Sequence, residues 1–350
     1  MKKKWISTAL VVCLTVTMAL AGCGKSSDDT DAADGEGSKE KGDGKYTIGY
    51  TVNDFNDKWV SYVIDNIKVW DEENKDVNVV LGNGEQDVAT QMAIVEDWIQ
   101  QKFDVICVKA VDVDAAASMA KKCNEAGIPF VAVQDPIENS DVNVQQDSKT
   151  CGQTQMEAAI EAMGGSGKVA YISGVPGTLV SNNREEGSMA ALEKYPDVEL
   201  VANEVGNWLR EEAMTIVETW VQAGMEFDAI VCACDEMAIG AEIALESAGA
   251  REGVVIAGID GTVDALEMML DRKLDVTMYA DPEALAREPL ETAVKIINGE
   301  KVDDYMIQDI LILPEDAQEY LAINNLERSS PLCTKIIFWK LRESRKHFPA

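Results

Sequence analysis

Short apolar runs alternate with longer amphipathic runs over most of the chain. The short runs are apolar throughout, as in Asp104-Val-Ile-Cys-Val108, a pattern typical of parallel strands covered on both faces. The longer runs repeat their apolar positions at helical spacing. The first predicted strands are residues 46–52, 77–81, 105–109 and 128–133, with helices over 57–73, 88–101 and 114–126. This alternation predicts β-α-β winding with right-handed crossovers.

The same alternation restarts near residue 149. The later predicted strands are residues 168–173, 199–202, 229–233, 254–257, 274–279 and 310–313, with helices over 149–163, 184–194, 211–222, 236–247 and 263–270. Two such units predict an α/β protein of two doubly wound, Rossmann-like lobes joined by a hinge. Because ligands of open α/β sheets sit beyond the carboxyl ends of the strands, we expect a binding cleft between the lobes.

The predicted lobes exchange segments of the chain. We expect residues 45–148 and 281–309 in the N-terminal lobe, and residues 149–280 and 310–325 in the C-terminal lobe. The hinge is then predicted at three crossing segments, near residues 144–150, 279–282 and 309–311.

The first 22 residues have the pattern of a secretory signal peptide. Three lysines precede an apolar run that is shorter than the roughly 20 residues of a membrane-spanning helix. The run ends in Leu20-Ala-Gly-Cys23, which resembles the lipobox of bacterial lipoproteins, where the cysteine is diacylated and becomes the mature N-terminus. We therefore expect a lipid-anchored, extracytoplasmic protein at the cell membrane; an ordinary signal peptide followed by a cysteine is the alternative.

Two terminal segments differ in composition from the body. Residues 23–44 are almost devoid of apolar side chains after Cys23, which predicts a disordered tether. Residues 326–350 turn basic and irregular. Such a segment fits a short helix against the body, a membrane-proximal patch or a shifted reading frame. The sequence therefore assigns this tail no role.

Charge and composition argue against several classes of function. The chain has 62 acidic and 31 basic residues, a net charge of −31, which argues against nucleic acid as a partner. Its single histidine is His347, so neither a histidine metal site nor a histidine-based triad is expected. No glycine-rich phosphate loop follows the first strand. We therefore expect a binding protein without cofactor or metal, and not an enzyme.

The cysteines beyond the lipobox show no disulfide framework. Their spacing is irregular, and we interpret them as small buried apolar residues. They are Cys107, Cys123, Cys151, Cys232, Cys234 and Cys333.

Five segments carry a resemblance to a known family. They are Ile48-Gly-Tyr-Thr-Val52, Gly127-Ile-Pro-Phe-Val131, Asn183-Arg-Glu-Glu-Gly187, Cys234-Asp-Glu-Met-Ala-Ile-Gly240 and Gly258-Ile-Asp-Gly-Thr262. With them, residues 45–313 resemble the type I periplasmic sugar-binding proteins, most of all the ribose-binding branch. The resemblance implies a monomer that closes around a small sugar-like ligand and delivers it to an ABC permease.

Sugar recognition needs groups that pair with hydroxyls and flat aromatic rings against the C–H face. In the first lobe the resemblance implies Asp57 as a hydroxyl ligand, although an aspartate there also fits a helix cap. It implies Trp59 as a stacking ring, with a partly buried aromatic at a helix start as the alternative. Gln134 and Asp135 stand where the family has Asp and Arg, and the resemblance implies that both bind the ligand, with an Asp-Pro turn as the alternative for Asp135.

In the second lobe the resemblance implies four ligand-binding positions. Arg184 matches an arginine that forks onto hydroxyls at a helix start, and Trp208 matches the second aromatic. Cys234 replaces a ligand-binding Asn, Asp235 behind it is predicted to cap a helix, and Asp260 matches a hydroxyl-binding carboxylate. Because of these departures, the resemblance supports a sugar-like ligand but not ribose in particular.

Two other functions share this architecture. A closed binding protein also serves as a sugar-sensing co-receptor for a chemoreceptor or sensor kinase. A nucleoside-binding lipoprotein is the other alternative, since Trp59 and Trp208 would stack on a base as readily as on a sugar.

Overall fold

The computed structural model describes residues 45–329, with side chains to residue 324. The predicted signal peptide, Cys23, the tether and Cys333 lie outside the described residues. The start of the basic tail completes a helix that ends at Ser329, and residues 330–350 also lie outside. No helix in the described part of the chain is long and apolar enough to cross a membrane.

The first sheet has six strands, all parallel, in the order β11-β5-β4-β3-β1-β2. The strands are β1 (Tyr46–Val52), β2 (Val77–Asn83), β3 (Val105–Lys109), β4 (Phe130–Gln134), β5 (Val142–Gln146) and β11 (Tyr305–Ile307). The strand order reverses between β1 and β3, so their carboxyl ends flank a crevice of the kind where ligands bind.

Helices cover both faces of this sheet, which is why its central strands β3 and β4 are buried along their whole length. One face packs against α1 (Lys58–Glu73) and α9 (Pro282–Ile297). The other packs against α2 (Val88–Gln101) and α3 (Val113–Glu125). Along β3, residues therefore alternate between two apolar cores.

The second sheet has four parallel strands in the order β7-β6-β8-β9. They are β6 (Gly167–Ser173), β7 (Val198–Val205), β8 (Ala229–Cys232) and β9 (Val255–Ala257). Its helices are α4 (Ser148–Ala162), α5 (Leu179–Leu192), α6 (Arg210–Gln222), α7 (Asp235–Ala248) and α8 (Val263–Leu270). A bridge from Ala257 to Val276 leads to β10 (Thr277–Tyr279), which pairs antiparallel with β12 (Ile310–Ile312) before α10 (Ala317–Ser329).

Three segments connect the two sheets: β5 to α4, β10 to α9, and β11 to β12. They coincide with the segments predicted as the hinge. Movement about them, and the lobe boundaries, stay predictions.

The prediction for α5 was wrong at its start. The helix begins at Leu179, because Thr178 accepts a hydrogen bond from the amide of Ser181 and caps it. Arg184 therefore lies in the helix interior, not at the N-terminus. The described cysteines are all free and buried, which confirms their interpretation as small core residues.

Candidate functional site

Four buried charged residues meet beyond the carboxyl ends of the strands, and we call them the charged cluster. Lys109 ends β3, and Asp135 follows the end of β4. Arg184 comes from the interior of α5, and Asp260 from the loop after β9. Each is only 5–7% exposed. Arg184 and Asp260 influence the pKa of Lys109, and Arg184 influences that of Asp135, which indicates that the two sheets present these groups to a common space.

The guanidinium group of Arg184 has partners at Nη1, while its Nε has a hydrogen bond left to donate. Its Nη1 donates to the carbonyl of Ala233 at 2.6 Å and lies 3.7 Å from Asp260 Oδ1. Its guanidinium carbon lies 5.9 Å from the centre of the Trp208 ring. Nε is buried and has no hydrogen-bond partner among the described residues. Because a buried unpaired donor is unfavourable, this nitrogen fits a ligand oxygen.

Asp260 occupies an unusual backbone conformation, with φ of +132°. Its amide donates to Met278 O at 2.8 Å, which holds the residue beside the crossing strand. Burial raises the pKa of Asp260 well above its ordinary value; Arg184 opposes this, and the carboxylates of Asp235 and Asp57 add to it. The carboxyl group therefore resists ionisation until a donor reaches it.

Gln134 and Asp135 lie together at the end of β4. Burial raises the pKa of Asp135 to about 6, against the opposing effects of Lys109 and Arg184. Gln134 has φ of +72° and donates from Nε2 to Gln146 Oε1 at 2.9 Å. Its Oε1 is buried without a partner in the described chain.

Lys109 belongs to the site and was not predicted from the sequence. Its Nζ donates to Asn53 Oδ1 at 2.6 Å. Burial lowers the pKa of this lysine, and the nearby carboxylates of Asp57 and Asp135 offset part of the effect. The signal for it was present: a lysine that ends an otherwise apolar strand lies at the edge where ligands bind.

Asp57 and Trp59 have structural partners of their own. Asp57 caps α1, since its Oδ1 accepts from the amide of Val60 at 3.0 Å. Trp59 is 7% exposed within the core beneath the first sheet, and its indole nitrogen donates to Ala280 O at 3.0 Å. Their ligand contacts stay predictions, and the structural alternatives stated for both are present in the fold.

Trp208 is held by a tight backbone turn and a glycine. Asn207 and Trp208 have φ of +52° and +67°. A Cβ atom on Gly174 would lie 2.0 Å from the Trp208 ring, so only glycine permits this ring position. Cys234 Sγ lies 3.9 Å from Trp208 O. The four second-lobe positions implied by the resemblance are thus linked by contacts; their binding roles stay predictions.

Asp235 does not cap α7, so that prediction was wrong. The cap position is Cys234, and Asp235 is the first residue of the helix. The Asp235 carboxylate instead accepts from Thr262 N at 2.8 Å and from Thr277 Oγ1 at 2.7 Å. Burial raises its pKa to about 7. It therefore connects α7 to the loop that carries Asp260.

Comparison with known proteins agrees with this geometry. Residues 48–301 match the periplasmic binding protein domain. The chain belongs to the periplasmic binding protein family. Both the predicted family and the predicted α/β fold of type I members are confirmed. Its relatives include a ribose import binding protein of Bacillus subtilis and solute-binding proteins of ABC transporters.

Several relatives of this periplasmic binding protein have recorded ligands. A putative rhizopine-binding protein of Rhizobium meliloti is 30% identical over 266 residues, covering 73% of this chain and 86% of the relative. A xylitol-binding protein of Mycolicibacterium smegmatis is 31% identical and covers 73% of each chain. An ABC transporter solute-binding protein from Bacillus halodurans, solved with myo-inositol, is 33% identical with a TM-score of 0.77, covering 80% of this chain and 98% of that one.

Proposed function

We propose that this periplasmic binding protein captures a monosaccharide or similar polyhydroxylated molecule between its lobes for an ABC importer. The observation that carries the proposal is the charged cluster, in which cations and carboxyl groups alternate. A hydroxyl both donates and accepts, so adjacent hydroxyls of one ring pair with such an alternating set.

Within that class, a ring polyol such as myo-inositol is the first candidate. The Bacillus halodurans protein with bound myo-inositol supports it, as does the relative named for xylitol. Trp208 beside Arg184 supplies a flat apolar face for the ring. Gln134 and Asp135, which depart from the ribose-binding pattern, make ribose a weaker candidate.

Ligand binding is proposed to hold the two lobes closed. Lys109 and Asp135 come from the first sheet, while Arg184 and Asp260 come from the second. A ligand that touches both sets stabilises the closed form over the open one. The closed monomer then docks on its permease; docking on a chemoreceptor or sensor kinase would use the same closure.

A nucleoside is a less suitable ligand. The base would need two free aromatic faces, and Trp59 is buried in the core with its indole nitrogen bound to Ala280 O. That arrangement argues against a sandwich between Trp59 and Trp208.

The ligand proposal is tested by a thermal-shift screen followed by calorimetry. Pentoses, hexoses, linear polyols, inositols and nucleosides are screened, since a ligand of the folded state raises the melting temperature according to its affinity. We expect a polyol or sugar to raise it. A response to nucleosides alone, or to none of these compounds, would refute the proposal.

The site assignment is tested by Asp260→Ala, with Asp264→Ala as the control. Asp264 lies nearby in α8 but its side chain is 46% exposed. We expect Asp260→Ala to abolish ligand binding while the protein stays folded, because Arg184 loses its partner in the site. Unchanged affinity would refute the assignment.

We also propose membrane attachment through lipid on Cys23, with residues 23–44 as the tether. Two acyl chains anchor durably, since each buried methylene contributes about 0.8 kcal/mol. Cys23→Ser is expected to release the protein from membranes in a fractionation experiment. Retention of the variant in the membrane fraction would refute the anchor.

A further inference from the structure

Three polar side chains form a hydrogen-bonded chain from the site to the third crossing segment, and we call them the amide relay. Gln134 Nε2 donates to Gln146 Oε1 at 2.9 Å. Gln146 Nε2 donates in turn to Asp309 Oδ1 at 3.2 Å. Gln134 and Gln146 are 3% and 7% exposed, so water has little access to the two amides.

The chemistry of Asp309 determines the direction of the relay. An ionised carboxylate only accepts hydrogen bonds, so Gln146 has to turn its NH2 group towards Asp309. Its carbonyl oxygen then faces Gln134, which has to turn its own NH2 group towards it. Gln134 Oε1 is thereby left pointing away from the relay.

That oxygen lacks a partner. Gln134 Oε1 is buried and has no hydrogen-bond partner among the described residues. An unpaired buried acceptor destabilises the protein, because it has lost its hydrogen bonds to water and gained none in the fold. Gln134 adjoins Asp135 in the charged cluster, and its φ of +72° shows that the fold holds it in an unusual conformation. A ligand hydroxyl that donates to Oε1 would recover the missing interaction.

Protonation of Asp309 gives the carboxyl group a donor, which allows every bond of the relay to reverse. The neutral carboxyl group donates its new proton to Gln146 Oε1, whose NH2 group then faces Gln134 Oε1. Gln134 is left with its NH2 group free for the site. One proton is taken up at Asp309, and no covalent bond other than that O–H bond is made or broken.

We propose that Gln146 and Asp309 are positioning residues that determine whether Gln134 offers the ligand an acceptor or a donor. With Asp309 ionised, the site demands a donating hydroxyl at this point. The ligand part of the inference rests on the proposed function, whereas the relay itself does not.

Several charged or titratable groups face Asp309. Arg184 approaches from α5, the Cys151 thiol from α4, and Asp147 and Asp281 from the starts of α4 and α9. Burial raises the pKa of Asp309 to about 6; Arg184 and the Cys151 hydrogen bond oppose this, and Asp147 adds to it. The reversal is therefore expected near pH 6.

The relay is tested first without any ligand. The side-chain amide 15N–1H signals of glutamine are followed by NMR between pH 4.5 and 8 and assigned by their loss in Gln134→Leu and Gln146→Leu. We expect both amides to shift with a common midpoint near pH 6, and the midpoint to vanish in Asp309→Asn. Amides that do not titrate, or titrate unchanged in Asp309→Asn, would overturn the proposal.

The second test measures the Kd of myo-inositol between pH 5 and 8 by calorimetry. Gln146→Leu breaks the relay, and Gln145→Leu is the matched control on the opposite face of β5. Because the pKa of Asp135 is also about 6, Asp135 alone would make Kd depend on pH in every variant. The test is therefore the difference in pH dependence between Gln146→Leu and Gln145→Leu. We expect the relay to add about a fivefold change in Kd that Gln146→Leu loses and Gln145→Leu keeps.

The two kinds of failure are distinguishable. If myo-inositol and all other screened polyols and sugars fail to bind at pH 7.5, the proposed function fails, and the amide titration still decides the relay. If a ligand binds and both leucine variants share the wild-type pH profile, the relay has no part in recognition and the inference is overturned.

Discussion

At the residue scale, Lys109 shows what burial does to a charge. The residue is 7% exposed, and burial lowers its pKa while nearby carboxylates offset part of that effect. A buried charge costs free energy of folding even when it is paired, so the proposed site predicts that Lys109 acts in ligand binding more than in stability.

We expect Lys109→Met to lower ligand affinity at least tenfold, while the free energy of unfolding stays within about 1 kcal/mol of wild type or rises. Methionine keeps the packing volume but removes the buried charge. Calorimetry with the ligand from the screen and urea unfolding check the two parts.

Lys122→Met is the control for Lys109→Met. Lys122 also lies in the first half of the chain, but its side chain is 46% exposed in α3. Unchanged affinity together with lower stability in Lys109→Met would mean that Lys109 is structural.

Several site residues could be predicted from the sequence because they end strands or follow them. Asp135 and Asp260 belong to this group, as β-α-β winding brings such positions to one edge. The hydrogen bonds could not be predicted. The bond from Trp59 to Ala280 O joins positions 221 residues apart, and the bond from Gln134 to Gln146 depends on β5, a strand that was not predicted.

At the element scale, glycine permits one very close helix pair. A Cβ atom on Gly187 of α5 would lie 1.9 Å from the carbonyl oxygen of Lys149 in α4. Gly152 of α4 faces Arg184 of α5 in the same way, with 2.2 Å from its Cβ position to the Arg184 carbonyl oxygen. The position of Arg184 therefore depends on how closely these helices approach.

We expect Gly187→Ala to destabilise the protein by about 1–3 kcal/mol in urea unfolding. Alanine gains about 1 kcal/mol of helix propensity, but the contact with backbone atoms forces the helices apart. Ligand affinity is expected to fall as well, since Arg184 moves with α5.

Asn182→Ala is the control that separates the effect of helix propensity from that of helix packing in α5. Asn182 is exposed in α5, so its replacement is expected to change the unfolding free energy by no more than about 0.5 kcal/mol. Stabilisation by Gly187→Ala would contradict the close contact.

The elements were predicted unevenly, and the reasons are physical. Apolar strands such as β3 and β8 were located well, because burial on both faces leaves a continuous signal. The helix α9 was not predicted, although Asp281 and Pro282 mark its start, because Pro289 interrupts its interior. The start of α5 was placed too late because the cap at Thr178 was overlooked.

At the scale of the whole molecule, one buried and two half-buried carboxyl groups make stability depend on pH. Burial raises the pKa of Asp135, Asp281 and Asp309 to about 6 in each case. A raised folded-state pKa stabilises the protein below the unfolded value near 3.8, and that stabilisation is lost as the pH rises through about 6.

We expect Asp281→Asn to raise the unfolding free energy at pH 7.5, on the order of 1–3 kcal/mol, and to have little effect at pH 4. Asparagine caps α9 as well as aspartate does but does not ionise. Urea unfolding at the two pH values checks this, with the exposed α3 cap variant Asp112→Asn as control. An equal effect of Asp281→Asn at both pH values would contradict it.

The late strand β11 has a consequence for how the protein is made. It pairs with β5, and the adjoining Asp304 carboxylate accepts from Asn143 N at 2.8 Å across 161 positions of sequence. Until β11 arrives, the outer edge of β5 stays open, and an open edge invites pairing with other chains. Contacts so distant in sequence form slowly. Completion of the first sheet therefore waits for residues 305–307, and until they are in place the partly folded protein carries an aggregation-prone edge along β5.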